Sequence, residues 1–207
     1  MTPTAYGDES VHHRHVIMPM YLIGVCITSL AESEIRRILE PLKHSGDSKL
    51  HWSTLRTADK IQVMDILSSL FSNQRITPII IQASPLPTSG KQEEHARRKC
   101  LEQLIPGLEG QHDIHNLLLE SRSKAQDERE VQFVKQLRCK HWIPNDFRIS
   151  HQPGHSNAGL WLPDQILGAY GDAAELLLRP QLTYAERNFL DTLNQFNECI
   201  DVIHCDL

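Results

Sequence analysis

Three acidic residues lie where a strand or a helix would place them beside apolar neighbours. They are Asp8 in the segment YGDES, Glu120 at the end of the run NLLLE, and Asp164 early in a mostly apolar helical segment. Carboxylates that lie close together raise one another's pKa unless a cation lies between them. Hard divalent ions such as Mg2+ and Mn2+ prefer such oxygen ligands. We therefore predict a metal site with these three residues as ligands and with Glu9 as an outer ligand or base.

Such a cluster suits the hydrolysis of phosphodiester bonds in nucleic acid. Two ions about 3.5–4 Å apart would let one activate a water while the other stabilises the leaving oxygen. Arg122 follows Glu120 by two residues and is the best placed basic residue to contact a phosphate. His51 and Trp52 could face the substrate, with Trp52 either stacking on a base or packing in the core.

Composition limits the classes of protein that fit. The chain has 207 residues, 40% of them hydrophobic, and a formal net charge of −5, which does not suggest a general nucleic-acid coat protein. Five cysteines without a CxxC pair argue against a disulfide framework and fit a cytoplasmic protein. The apolar run over residues 16–30 is too short and too interrupted to span a bilayer, so we expect no membrane association. The sequence names no protein partner.

The periodicity of apolar residues predicts the elements that must position the acids. A strand at residues 4–8 and a turn at 10–15 precede an antiparallel strand at 16–29, forming a hairpin with the acids near its connection. Later strands are expected at residues 76–83, 116–120 and 147–151. Helices are expected at residues 31–43, 57–73, 91–104, 124–138, 159–178 and 183–203.

This order predicts an α/β fold in which a mixed β-sheet is flanked by α-helices. No change in composition marks a second domain, so we expect one domain over residues 1–207, with the C-terminal helix 183–203 packed on it. The helix at residues 91–104 should end at Pro106-Gly107. The helix that begins near residue 159 tolerates Pro163 only in its first turn. Along that helix, a polar or small stripe is formed by Asp164, Gly168, Asp172 and Glu175.

Four segments together resemble the domain of unknown function (DUF) 3800 family, which is placed in the ribonuclease H-like superfamily. They are YGDES before an apolar strand, LHWSTL, LLLESRS at a strand end, and LWLPDQILGAYGDA in a late helix. The resemblance implies a ribonuclease H-like fold with Asp8, Glu120 and Asp164 as the acids of the first strand, the central strand and the last helix. It also implies that Glu9 is the secondary acid and that Ser156, the serine before the final helix, contacts the substrate. The chain departs from the family pattern at Val11, Glu120 and Pro163.

Two other functions remain open at this point. The protein could be a non-catalytic interaction or nucleic-acid-binding protein that keeps the fold, as the acidic net charge and the altered motif positions favour. Alternatively, His12 and His15 in the run VHHRH could bind a transition metal such as zinc and assist hydrolysis. Such a run is more often a solvated loop.

Overall fold

The computed structural model describes residues 2–86 and 90–207. Within these two ranges, six strands form one sheet: β1 Thr4–His12, β2 Met20–Thr28, β3 Ile76–Ala83, β4 Asn116–Glu120, β5 Arg148–Gln152 and β6 Asp201–Cys205. The described residues also form six α-helices: α1 Glu32–Leu39, α2 Thr57–Ser72, α3 Gly90–His112, α4 Lys124–Cys139, α5 Trp161–Leu176 and α6 Tyr184–Asn197. Among the described residues, no helix is long and apolar enough to cross a membrane.

The sheet is mixed, with the strand order β5-β4-β1-β2-β3-β6. Strand β2 pairs antiparallel with both β1 and β3. On the other side of β1, β4 pairs parallel with β1, and β5 pairs parallel with β4. At the opposite end of the order, β6 pairs parallel with β3. The predicted α/β fold with a mixed sheet and flanking helices is confirmed. The hairpin of the first two strands, which local sequence predicts from its apolar runs, occupies the centre of this sheet.

Apolar cores cover both faces of the sheet. On one face, even-numbered β1 and β2 residues such as Tyr6 and Leu22 pack with helices α1, α2, α5 and α6. On the other face, odd-numbered residues such as Ala5 and Ile23 pack with α3 and α4. Because side chains alternate along a strand, adjacent residues of β1 face different layers of the protein. This alternation decides where Asp8 and Glu9 point.

The first strand is longer than predicted. It continues through the expected turn as far as His12, because β2 pairs with it over the whole length from Thr4↔Thr28 to His12↔Met20. Asp8 and Glu9 therefore lie within the strand, opposite Gly24 and Ile23, and not near the hairpin connection. The neighbouring strand β4 ends at Glu120, so Asp8 lies beside the end of that strand.

The C-terminal helix predicted at residues 183–203 ends at Asn197, and residues 201–205 form the additional strand β6. The strand at residues 148–152 is consequently not the last one. Apolar residues at helical spacing continue past the end of α6, so local periodicity favoured a longer helix. Pairing with β3 across the sheet overrides it: Ile203 lies opposite Ile81, and Cys205 opposite Ala83.

Helix α3 is also longer than predicted, because it continues through Pro106 to His112. A proline inside a helix removes a hydrogen bond and normally destabilises it. Burial offsets this cost here, since Leu104, Ile105 and Leu108 are at most 2% exposed in the core of that face. In α5, by contrast, Pro163 falls in the first turn, as expected.

Candidate functional site

Asp8, Glu120 and Asp164 come together on one face of the sheet, at the end of β4. The parallel pairing of β1 with β4 places Gly7 opposite Leu119, which brings the next residues, Asp8 and Glu120, side by side. Helix α5 packs across β1 and β2 on the same face and supplies Asp164. These acids border a cleft of about 350 Å³. The cleft is lined by Asp8, Glu9, Ser10, His12, Lys49, His51, Trp52, Ser53, Glu120, Asp164, Leu167, Gly168, Gly171, Asp172 and Glu175.

Asp164 is the most firmly held of the three acids. The residue is 9% exposed. One carboxylate oxygen lies 2.7 Å from Nδ1 of His51, and the other accepts hydrogen bonds from the backbone N–H of Trp52 at 2.7 Å and from Nε2 of Gln165 at 3.0 Å. The hydrogen bond to Asp164 raises the pKa of His51 above its usual value, against the effect of burial. The imidazole therefore favours its charged form beside this carboxylate.

Glu120 is held by a lysine that lies in the loop between α1 and α2. Nζ of Lys49 donates to both carboxylate oxygens of Glu120, at 2.9 and 2.8 Å. Burial alone would lower the pKa of Lys49, but the hydrogen bond with Glu120 raises it. Gly154 also lies close to this carboxylate, since a Cβ there would lie 2.6 Å from Oε1.

Asp8 is half-buried, and its carboxylate accepts a hydrogen bond from the adjacent backbone N–H of Glu9, at 2.8 Å. Burial raises the pKa of Asp8 to about 7, and the negative charges of Glu120 and Asp164 add to this effect. The positive charges of Lys49 and His51 oppose it only in part. Burial and the two neighbouring carboxylates together thus outweigh Lys49 and His51 in their effect on the pKa of Asp8.

Glu9 also borders the cleft, but its side chain takes part in a different network on the opposite face of the sheet. Its carboxylate accepts hydrogen bonds from the guanidinium of Arg97 and from the hydroxyl of Tyr21. Arg97 also donates to Glu130 at 2.6 Å, and His151 contacts the other oxygen of Glu130 at 2.7 Å. Burial alone would raise the pKa of Glu130, but hydrogen bonds from His151 and Arg97 lower it to about 2. Glu9 therefore stabilises β1 from behind the cleft.

The predicted substrate contacts His51, Arg122 and Ser156 lie in three different places. His51 lines the cleft with a side chain that is 44% exposed. Arg122 lines a smaller cavity of about 180 Å³ that it shares with Asp8 and Glu120, while its guanidinium contacts Glu130 at 2.9 Å. The hydroxyl of Ser156 donates to the backbone oxygen of Pro153 at 2.7 Å, in a short 3-10 turn before α5.

The stripe along α5 faces the cleft over its whole length, because Asp164, Gly168, Asp172 and Glu175 all line it. The absent side chain of Gly168 does not make room for a substrate, however. A Cβ there would lie 2.1 Å from Trp52, whose indole N–H donates to Asp172 at 3.0 Å. Trp52 is 4% exposed, so the prediction of a core aromatic fits its placement better than base stacking does.

His12 and His15, from the run VHHRH, lie in two different environments. His12 ends β1 and lies in the cleft, where its Nε2 is 2.9 Å from the hydroxyl of Ser10 and its ring packs against Gly171. His15 is exposed in the connection between β1 and β2. Lys49 is the cleft residue that the sequence analysis missed. No local pattern marks it, since only the folded loop brings it to Glu120.

The ligand types in the cluster favour a divalent metal, whereas the arrangement of the side chains does not. Three carboxylates from separate elements are the hard oxygen ligands that Mg2+ and Mn2+ prefer. Over residues 2–86 and 90–207, however, no group of three or more His, Cys, Asp or Glu side chains is arranged to hold a metal ion. Lys49 and His51 already occupy oxygens of Glu120 and Asp164.

The fold is similar to that of RNase HII in the solved structure of the PCNA:RNase HII complex from Archaeoglobus fulgidus. The match has a TM-score of 0.50 with 7% sequence identity, and it covers 84% of this chain and 74% of that chain. At this identity the likeness shows the fold alone, which is ribonuclease H-like. No family model and no curated protein matches the sequence. The resemblance to the DUF3800 family therefore stays a prediction.

Proposed function

We propose that this protein hydrolyses phosphodiester bonds of nucleic acid in the presence of Mg2+ or Mn2+, with Asp8, Glu120 and Asp164 as its acidic cluster. The observation that carries the proposal is the convergence of three carboxylates from β1, β4 and α5 at one cleft. The ribonuclease H-like fold supports it. A divalent ion held by these carboxylates would supply positive charge to stabilise the negative charge that develops on the phosphate.

The residues of the chain prepare this cleft in distinct ways. Three donors fix the carboxylate of Asp164 before any substrate arrives. Such preorganisation matters because a site that is already oriented needs no rearrangement during the reaction. His51 keeps nearly half of its side chain exposed, so its ring can donate a hydrogen bond to a phosphate oxygen at the mouth of the cleft. Glu9 acts from the opposite face by holding β1 to Arg97.

A cleavage assay tests the proposal. Labelled RNA, DNA and RNA–DNA hybrid oligonucleotides are incubated with wild type and Asp8→Asn in Mg2+, in Mn2+ and in EDTA. We expect metal-dependent cleavage by wild type of at least one substrate, and none by Asp8→Asn. Asp65→Asn is the matched control, because Asp65 is exposed on α2 outside the cleft. Cleavage that persists in Asp8→Asn would refute the role of the cluster.

A second function, a non-catalytic nucleic-acid-binding or interaction protein, is favoured by the ion pair between Lys49 and Glu120. That pair neutralises one acid of the cluster without any metal. On this alternative, wild type and Asp8→Asn bind the oligonucleotides equally and neither cleaves them in any ion. A gel-shift measurement on the same samples separates the two functions.

A further inference from the structure

The loop between α1 and α2 places two basic side chains on the acidic cluster. Lys49 contacts Glu120, and two residues later His51 contacts Asp164. The following backbone N–H, from Trp52, also binds Asp164. A single loop therefore engages two of the three acids, whereas Asp8 accepts its hydrogen bond from the backbone N–H of Glu9.

Lys49 is placed where it limits access to Glu120. Its ammonium lies within 2.9 Å of both carboxylate oxygens, and both side chains are 23% exposed. Gly154 also lies close to this carboxylate, because a Cβ at Gly154 would lie within 2.7 Å of both oxygens. A metal that used Glu120 would have to displace an ammonium that already makes two hydrogen bonds.

We propose that Lys49 is a resident cation of the cluster that competes with divalent metal for Glu120. This inference rests on the proposed function, since it concerns the same acids. While Lys49 is in place, a divalent ion binds weakly, because it has to displace the ammonium before Glu120 can act as a ligand. Removing the lysine charge frees Glu120 as a third ligand and leaves a more negative site, so divalent ions bind more tightly.

Manganese titration by calorimetry, with EDTA-treated protein, tests this inference. The variants are Lys49→Met and Lys60→Met. Lys60 is the matched control, because its Nζ makes an ion pair of 2.7 Å with Asp172, farther along α5, and its loss changes the net charge equally. We expect Lys49→Met to bind Mn2+ at least about tenfold more tightly than wild type, since a fixed positive charge a few ångströms away opposes binding. Lys60→Met should bind as wild type does.

The conservative variants Lys49→Arg and Lys49→Gln keep the test valid if Lys49→Met does not fold, which circular dichroism reports. Arginine retains the charge and should leave binding weak, whereas glutamine removes it and should strengthen binding. Equal affinities for wild type and Lys49→Gln would overturn the inference, as would the same gain in Lys60→Met. If Lys49→Gln binds Mn2+ tightly but wild type neither binds it nor cleaves nucleic acid, the inference holds and the proposed function fails.

Discussion

The backbone N–H of Trp52 donates a hydrogen bond of 2.7 Å to Oδ2 of Asp164, although the two residues are 112 positions apart. The indole N–H of the same tryptophan donates to Asp172, two turns farther along α5. Gly168 lies between these two acids, and the tryptophan side chain packs directly against it. Trp52 thus fixes the loop before α2 to the helix that supplies Asp164.

Gly168→Ala should displace Trp52 and weaken the whole site. The added Cβ would lie 2.1 Å from Cγ of the indole, which is closer than atoms can pack. We expect the free energy of unfolding to fall by about 1–3 kcal/mol, the usual cost of overpacking a core. Cleavage should fall as well, because the shift of Trp52 removes a donor from Asp164. Urea denaturation and the cleavage assay measure the two effects.

Gly110→Ala is the control for this substitution. Gly110 is also helical, but a Cβ at this position meets no atom within 4 Å. Alanine there should stabilise the protein by about 0.5–1 kcal/mol through helix propensity. Equal stability changes in the two variants would contradict the packing of Trp52 on Gly168.

Glu130→Gln should strongly destabilise the protein through the network behind the cleft. Glu130 is 4% exposed, and it binds both Arg97 and His151. Loss of its charge leaves Arg97, itself 3% exposed, with Glu9 as its remaining carboxylate partner. Breaking a buried ion pair in this way costs about 3–5 kcal/mol. Chemical denaturation at pH 7 measures the loss.

The pH dependence of this loss has a definite sign. The pKa of Glu130 is about 2 in the folded protein and ordinarily 4.5, so its charge stabilises the fold fully above pH 4.5. The cost of Glu130→Gln should therefore shrink as the pH falls from 4.5 towards 2. Glu128→Gln, on the same helix and with 65% of its side chain exposed, should cost less than about 1 kcal/mol at any pH. A similar loss in both variants would refute the importance of the network.

Asp8→Asn should stabilise the metal-free protein at high pH and not at low pH. The pKa of Asp8 is about 7 in the folded protein and ordinarily 3.8, so the folded state keeps the proton more firmly. Ionisation of Asp8 therefore lowers stability progressively as the pH rises from about 4 to 7. Asparagine lacks this charge. In EDTA, the melting temperature of the variant should exceed that of wild type at pH 8 and match it at pH 4.

The pH comparison also needs a control for the loss of a surface charge. Asp65→Asn removes an exposed carboxylate from α2 and should give the same difference from wild type at both pH values. A gain in Asp8→Asn that is equal at pH 4 and pH 8 would show that the carboxylate is not the source of the effect.

Local sequence patterns predicted most of the fold, because each long apolar segment carries its own periodicity. The mixed sheet, the central hairpin and the position of Pro163 in a first helical turn all follow from such patterns. The strand β6 does not, since its apolar residues also fit an extension of α6. Only its pairing with β3, more than a hundred residues earlier in the chain, makes it a strand.

In the candidate site, too, some features follow from local sequence and others depend on contacts between distant segments. Asp8, Glu120 and Asp164 could be grouped from the sequence because Asp8 and Glu120 were each expected to end a strand and Asp164 to lie early in a mostly apolar helix, and because the three match the acids of the family that the sequence resembles. The separation of Glu9 from Asp8 follows from strand alternation, which places adjacent side chains on opposite faces. The contact of Lys49 with Glu120 has no such local rule, because it joins a loop to a strand end 71 residues away.

Melting curves with and without Mn2+, on wild type and Asp8→Asn, test the acidic cluster most directly. At ten times its dissociation constant, a bound ion adds about 1.4 kcal/mol to the free energy of unfolding. For a chain of this size, that raises the melting temperature by about 3–5 °C. We predict this rise in 10 mM Mn2+ for wild type and no rise for Asp8→Asn. The same rise in both proteins, or in neither, would contradict a metal-binding cluster built on Asp8.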